Sequence, residues 1–164
     1  MRPFSEASDR NRGPILAVLK RIFKERRHVL EIGSGTGQHA AYFSAELPHL
    51  VWQASDVAEN LPGIREWISK PAPIELDVDK EWPQLDVDAV FSANICHIMS
   101  WPQVESLFAG VARLLPTGGV FALYGPFNYG GRHTSESNAR FDAMLRSRDP
   151  ASGLRDFEAI ARLA

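Results

Sequence analysis

The sequence predicts an α/β fold of the doubly wound kind, with a mainly parallel sheet and helices on both faces. Short apolar segments alternate along the 164 residues with longer segments of helical periodicity. The apolar segments are continuous runs rather than alternating ones, which is typical of parallel strands buried on both faces. A cluster of glycines follows the first of these strands, where such folds bind ligands. We therefore predict one α/β domain over residues 1–164.

The first helix is predicted over residues 14–24. Ile15, Leu19 and Ile22 fall on one face of it, and Pro14 suits a first helical turn. The residues before it, which include Arg10 and Asn11, are predicted as a polar lead-in that could fold over a ligand or simply cap the helix.

The remaining elements follow in regular alternation. Apolar runs predict five strands, over residues 29–32, 50–54, 74–78, 88–93 and 120–124. Helical periodicity predicts helices over residues 38–47, 60–69, 101–115, 136–147 and 154–163. Ser100 is the predicted N-cap of the helix that begins at Trp101. The polar, glycine-containing segment 125–136 is predicted as a lid or substrate loop.

Composition narrows the class of protein. The single cysteine, Cys96, excludes a disulfide within the chain, and no apolar run reaches 18 residues. We expect a cytoplasmic protein without a membrane partner. Residues 1–28 carry eight Lys or Arg against three acids, which could meet an anionic substrate or RNA but also fits an ordinary solvated helix face. The pattern does not favour a nucleic-acid partner, because basic and aromatic residues are not clustered together.

The glycine loop carries the strongest functional signal. Gly33, Gly35 and Gly37 form a G-x-G-x-G pattern between the first strand and the next helix. A dinucleotide fingerprint would need glycine at position 38, which is Gln38. Glu31 lies two residues before the first glycine, where its carboxylate would repel a pyrophosphate but could organise a cationic amino group. The pattern favours a nucleotide-like ligand without phosphates.

Asp56 follows the second strand, 23 residues after Gly33. A carboxylate at this position can accept hydrogen bonds from both hydroxyls of a ribose. Adenosylmethionine and NAD both present a ribose there, so Asp56 alone does not separate them.

The segment from Val29 to Gly37 resembles the first motif of class I S-adenosylmethionine-dependent methyltransferases. The resemblance implies S-adenosylmethionine as cofactor and S-adenosylhomocysteine as product. It implies that the glycine loop holds the methionine part and that Asp56 holds the ribose. By the same resemblance Asp77 contacts the adenine amino group, and Asn94 contacts the cofactor or the substrate.

A narrower resemblance covers essentially the whole chain. The segments 10–16, 33–39, 123–127 and 131–134 are similar to the methyltransferase-like 26 family (domain of unknown function 938). This resemblance implies the cofactor but leaves the methyl acceptor open. Class I methyltransferases have seven strands, and the five counted here would leave strand 120–124 exposed at an edge. We therefore expect the natural protein to continue beyond Ala164, or this chain to be truncated or its tail unseen.

Several residues are candidates for catalysis or acceptor binding. His97 and Asn94 follow the fourth strand, and His97 could remove a proton from an oxygen or nitrogen nucleophile, although a backbone-bonded histidine is the competing interpretation. Cys96 is interpreted as a small buried apolar residue. Tyr124, Arg132 and His133 flank or lie within the 125–136 loop.

Among these residues, Arg132 could bind an acceptor carboxylate or phosphate, or form a surface ion pair. Arg10 and Asn11 are also assigned to substrate binding, with an ordinary N-terminal capping segment as the alternative. The five histidines form no i, i+4 pair or Cys/His cluster, so no metal site is expected.

The sequence therefore predicts a methyltransferase that transfers a methyl group by in-line displacement to a small-molecule acceptor. A non-catalytic protein that binds S-adenosylmethionine or S-adenosylhomocysteine is the alternative. A nicotinamide oxidoreductase is disfavoured by Gln38 and Glu31. The oligomeric state is left open.

Overall fold

The computed structural model describes all residues from Met1 to Ala164, and the chain forms two compact units. The first unit contains Met1–Ala93 and Val111–Leu123. The second contains Asn94–Gly110 and Tyr124–Ala164. No helix combines the length and the apolarity needed to cross a lipid bilayer.

A five-stranded sheet forms the centre of the first unit. Its strands are β1 (His28–Ile32), β2 (Val51–Asp56), β3 (Ile74–Glu75), β4 (Ala89–Ala93) and β5 (Val120–Tyr124). Their order in the sheet is β3-β2-β1-β4-β5, and β1 pairs in parallel with both β2 and β4. Neighbouring residues Val29 and Leu30 of β1 point to opposite faces and are both fully buried. These observations confirm the predicted doubly wound α/β fold.

The first helix, α1, is longer than predicted and spans Glu6–Ile22. Ser5 is its N-cap, and the Ser5 side chain accepts a hydrogen bond from the Ser8 amide. Pro14 therefore lies inside the helix, and the prediction that it occupies the first turn is wrong. Arg10 and Asn11 belong to α1 rather than to a polar lead-in.

The other helices of the first unit are short. Helix α2 spans Gln38–Glu46, and α3 spans Leu61–Arg65 after a 3-10 turn at Ala58–Asn60. Both lie within the predicted ranges, but α3 ends four residues early.

Aromatic side chains fill the core between the helices and one face of the sheet. Phe43 of α2 lies 5.5 Å from Trp52 and 5.4 Å from Phe91, measured between ring centroids. Leu19 of α1 and Ile64 of α3 are nearly or fully buried in the same cluster. Burial of this kind contributes about 1.5–3 kcal/mol per large side chain, which makes this cluster the main source of stability in the unit.

The second unit is built on helices and a small sheet. Helix α4 (Trp101–Leu114) begins in it, and α5 (Glu136–Arg148) and α6 (Phe157–Leu163) follow. Ser100 caps α4 as predicted, since its Oγ accepts from the Gln103 amide and its own N–H donates to Gln103 Oε1.

Two short strands, β6 (Phe127–Asn128) and β7 (Arg155–Asp156), pair in parallel. The prediction of a helix from residue 154 is wrong, because 155–156 pair with β6 first and α6 begins at Phe157. Neither Phe127-Asn128 nor Arg155-Asp156 lies in an apolar run of the kind that predicts the strands of the large sheet.

Gly37 is required by packing against α3. Its φ of 92° lies in the left-handed region, and a Cβ there would stand 3.0 Å from Ile64 Cα. We expect Gly37→Ala to lower the free energy of unfolding by about 2–4 kcal/mol, from overpacking and backbone strain together. Gly13, which has open space around it in α1, provides the control, since Gly13→Ala should gain about 0.5–1 kcal/mol. Urea unfolding followed by circular dichroism measures both, and equal stability of the two variants would disprove the packing role.

Candidate functional site

The glycine loop joins β1 to α2 through a sharp turn. Gly33, Gly35 and Gly37 have φ values of 72°, 59° and 92°, which side-chain-bearing residues adopt rarely. The Ser34 amide donates to the Ser55 carbonyl at 2.9 Å, so the β1–β2 pairing continues into the loop. The loop thereby brings the start of α2 to the carboxyl edge of the sheet, where the first-turn amides have no partner within the helix. The first of them, the Gln38 amide, donates to Thr36 Oγ1 at 3.2 Å.

Gly35 and Gly37 have different roles in the loop. Space next to Gly35 is open, with no atom within 4 Å of where a Cβ would be. Gly37 faces Ile64 and Trp67 instead. Gly35 therefore leaves the loop backbone accessible to a ligand, whereas Gly37 serves the packing of α3.

Asp56 ties the end of β2 to the loop. Its Oδ2 accepts a hydrogen bond of 2.7 Å from the Gly35 amide, and its Oδ1 accepts one of 2.7 Å from the Val57 amide. A carboxylate offers about four lone-pair positions, so each oxygen can accept another donor. The side chain is thus held in one orientation with capacity for a pair of hydroxyl groups.

Glu31 is turned into the protein beneath the loop. It is 1% exposed, and its Oε1 accepts from Ser34 Oγ at 2.8 Å and from Trp52 Nε1 at 3.2 Å. Burial raises the pKa of the Glu31 carboxyl to about 7, against the lowering effect of those two hydrogen bonds. In this geometry Glu31 acts on the loop through Ser34 rather than by facing a ligand.

Asp77 follows β3 at the same edge of the sheet as Asp56. The Leu76 amide donates to the Asp56 carbonyl at 2.9 Å, which brings the two strand ends together. Asp77 Oδ1 accepts from the Asp79 amide at 3.0 Å, and Lys80 Nζ lies 4.0 Å from Oδ2. The structure therefore places the predicted ribose and adenine contacts, Asp56 and Asp77, on adjacent strands.

The start of the chain is fastened to α2 by contacts that the sequence did not predict. Gln38 accepts from the Ser5 amide with its Oε1 and donates to the Ser5 carbonyl with its Nε2, at 3.3 Å. His39 Nε2 lies 2.8 Å from Asn11 Oδ1. Asn11 is therefore held against α2, while Arg10 is exposed and pairs with Glu6 at 3.8 Å. Asn11 and the Gln38-His39 pair lie in two of the segments that carry the narrower family resemblance, 10–16 and 33–39.

Asn94 has an unusual backbone. It directly follows β4, and its φ of 61° is the only positive value at a non-glycine residue. Its amide donates to the Tyr124 carbonyl at 2.9 Å. Asparagine adopts the left-handed region more readily than most residues, so Asn94 suits the sharp turn that follows β4. Its contact with the cofactor or substrate stays a prediction.

His97 and Cys96 are both buried in the second unit. The His97 ring packs edge-on against Phe141 at 5.3 Å. Burial lowers the pKa of His97, and the charge of Arg155 lowers it further, so the ring is neutral at pH 7 and can accept a proton. Burial raises the pKa of the Cys96 thiol to about 12, so Cys96 is not a nucleophile at neutral pH.

The 125–136 segment contains β6 and a tight turn. Tyr129 and Arg132 exchange backbone hydrogen bonds of 3.1 Å across Gly130 and Gly131, whose φ values are 59° and 74°. Two positive φ values in a two-residue loop are typical of a type I′ turn. Arg132 is exposed on this turn, and Tyr124 is 39% exposed.

His133 is held by Asp142, a residue that the sequence did not single out. His133 Nε2 lies 3.1 Å from Asp142 Oδ2, and Asp142 also accepts from Arg146 Nε at 3.0 Å. Asp142 and Arg146 are four residues apart on α5, a spacing that occurs on most exposed helices and carries no functional signal by itself.

A family model described as "Protein of unknown function (DUF938)" matches residues 2–164. Among solved structures, an O-methyltransferase family protein from Burkholderia thailandensis superposes with a TM-score of 0.76 at 19% identity, over 96% of this chain and 51% of that chain.

The mitomycin 7-O-methyltransferase MmcR superposes with a TM-score of 0.81 at 16% identity, over 96% of this chain and 46% of that one. Human N-acetylserotonin methyltransferase, solved in complex with SAM, gives a TM-score of 0.78 at 15% identity with the same two coverages. This chain spans about half the length of these proteins. It has the Rossmann-like fold of class I methyltransferases.

Glu31 should make stability fall with rising pH. A carboxyl whose pKa rises from 4.5 unfolded to about 7 folded binds more protons in the folded state between those values. Its contribution is therefore present below pH 4.5 and lost as the pH rises to 7, by about 3 kcal/mol. Glu31→Gln, which keeps an acceptor for Ser34 and Trp52, should lack that loss. Urea unfolding at several pH values gives the difference between the two proteins, with exposed Glu46→Gln as the control, and parallel curves for all three would refute the assignment.

Proposed function

We propose that this chain, which belongs to the DUF938 family, binds S-adenosylmethionine on its first unit and serves methyl transfer to a small-molecule acceptor. The observation that carries the proposal is the Asp56 carboxylate, fixed by the Gly35 and Val57 amides beside the open backbone of the glycine loop. The shared fold with solved methyltransferases supports it.

The residues of the first unit fit this cofactor. The amides at the start of α2 suit an electron-rich carboxylate such as that of a methionine group. The remaining lone pairs of Asp56 suit the two ribose hydroxyls, and Asp77 on the next strand suits the adenine amino group. Each of these groups is held in place by backbone hydrogen bonds already present.

The same loop is a poor match for a dinucleotide. Gln38 replaces the glycine that would bring the helix backbone close to a pyrophosphate, and its side chain is occupied by Ser5. The buried carboxyl of Glu31 adds a group that becomes negative near neutral pH under the loop. Both features favour a ligand without phosphates.

S-adenosylmethionine supplies, when bound, a methyl group on a positively charged sulfur. The protein's part is then chiefly to hold its ligands in fixed positions, which can lower a barrier by about 7–11 kcal/mol. Asp56 would orient the cofactor, because backbone amides hold both of its carboxylate oxygens in place. His97, neutral at pH 7, can take the proton that an oxygen or nitrogen acceptor loses.

Asp56→Asn should weaken binding of S-adenosylmethionine by about 10- to 100-fold. The amide nitrogen of asparagine cannot accept a hydrogen bond, so one amide partner and one ribose contact are lost, and bonds to a charged group contribute about 1.5–3 kcal/mol. Isothermal titration calorimetry measures the affinity, with exposed Asp86→Asn as a matched control. Unchanged affinity in Asp56→Asn, or NADH binding without S-adenosylmethionine binding in the unmodified protein, would exclude the proposed cofactor site.

His97→Gln should retain S-adenosylmethionine affinity and lose turnover by about 10²–10⁴-fold, the usual contribution of a general base. Turnover is followed by transfer of labelled methyl groups from S-adenosylmethionine into a metabolite extract, with the product identified by mass spectrometry. Binding without label on any product would favour the non-catalytic alternative.

A further inference from the structure

A cavity of about 430 Å³ lies within the second unit, outside the residues assigned to the cofactor. A cavity of this volume accommodates a small metabolite. Its polar lining comes from α5, β6, β7 and the loop after the type I′ turn, and it includes Asn128, His133, Asp142, Arg146 and Arg155. Trp101 provides a flat apolar wall.

Asp142 organises one side of this cavity. The residue is 8% exposed, and its carboxylate accepts from the Leu154 amide at 2.8 Å, from Arg146 Nε at 3.0 and 3.1 Å, and from His133 at 3.1 Å. Partial burial acts to raise the Asp142 pKa, but these hydrogen bonds outweigh it and hold the pKa below its ordinary value. Asp142 is thus a charged residue whose two carboxylate oxygens already accept hydrogen bonds from the protein.

The two arginines keep donors available. Arg146 uses only its Nε on Asp142, and its terminal nitrogens belong to a side chain that is half exposed. Arg155 donates from Nε to the Cys96 carbonyl and from Nη2 to the carbonyls of Met99 and Ala151, which leaves Nη1. Both arginines are among the residues that line the cavity, and both keep N–H groups without a hydrogen-bond partner. Asp156, the other acid of the lining, is exposed to solvent.

Asn128, unlike the arginines, contributes a hydrogen-bond acceptor that lacks a donor. The residue is 7% exposed, and its Oδ1 is buried without a hydrogen-bond partner. A buried carbonyl oxygen without a partner is costly, so native proteins almost always pair one. The lining thus combines unused cationic donors with one unsatisfied acceptor.

We propose that this cavity binds a small molecule that carries a carboxylate, held by Arg146 and Arg155, and a hydroxyl or amino group that donates to Asn128. Guanidinium groups match the planar geometry of a carboxylate.

The test uses the full chain and NMR titration of its amide signals with benzoate, 3-hydroxybenzoate and 4-hydroxybenzoate, with neutral benzamide and sodium chloride as controls. We expect saturable shifts at Asn128 and Leu154, with carboxylates at least tenfold tighter than benzamide. Arg146→Gln should weaken binding at least tenfold, while Arg148→Gln, an exposed arginine on the same helix, should not. At least one hydroxybenzoate should bind about threefold or more tighter than benzoate, and Asn128→Leu should abolish that preference.

Shifts that fail to saturate or map elsewhere, equal binding of benzamide, or indifference to Arg146→Gln would each overturn the carboxylate site. A hydroxyl preference that survives Asn128→Leu would overturn the role of Asn128. Calorimetry of S-adenosylmethionine on the same variants separates this inference from the proposed function. If the cofactor binds and the carboxylates do not, only the cavity assignment fails; if the carboxylates bind and the cofactor does not, the methyltransferase proposal fails.

Discussion

The arrangement of the first unit depends on one carboxyl group enclosed beneath the glycine loop. Glu31 lies at the centre of the sheet, where an ionisable group is costly to bury unless it is hydrogen-bonded. Ser34 and Trp52 supply those bonds, and the Ser34 oxygen in turn accepts from the Ser55 amide at 3.1 Å. If the loop shifted by one residue, the Glu31 carboxyl would lose its hydrogen bond from Ser34. This bond therefore fixes the register of the loop from the side of the core. The hydrogen bond between Asp56 and Gly35 then fixes it from the side.

Much of the fold could be predicted because the physical signals are local. Continuous apolar runs identify buried parallel strands, and β1, β4 and β5 lie within a residue or two of their predicted limits. The predicted start of helix α1 is wrong because proline only favours a first helical turn and does not require one. Burial of Ile15, Leu16 and Leu19 stabilises a helix that begins eight positions before Pro14. Strands β6 and β7 could not be predicted, because neither lies in an apolar run and each is defined only by its pairing with the other.

The candidate site likewise has a part that the sequence predicts and a part that it does not. The positions of Gly35 and Asp56 follow from spacing, since the carboxyl ends of parallel neighbours meet at one edge. Contacts between residues that are far apart in the sequence have no such pattern. Ser5 and Gln38 are 33 residues apart, and neither residue indicates that the two form hydrogen bonds. Arg155 is a candidate because it lines the cavity, and Asn128 because its Oδ1 is buried without a partner. Both properties arise from packing and leave no pattern in the sequence.

The contact between Trp52 and Glu31 makes the buried carboxyl visible to spectroscopy. Indole emission depends on nearby charge, and the Trp52 ring donates its N–H to the group whose pKa lies at about 7. The other three tryptophans lie at partly exposed positions, whereas Trp52 is 1% exposed. The protein therefore contains its own fluorophore for the protonation state of the residue under the loop, readable without a label at physiological pH.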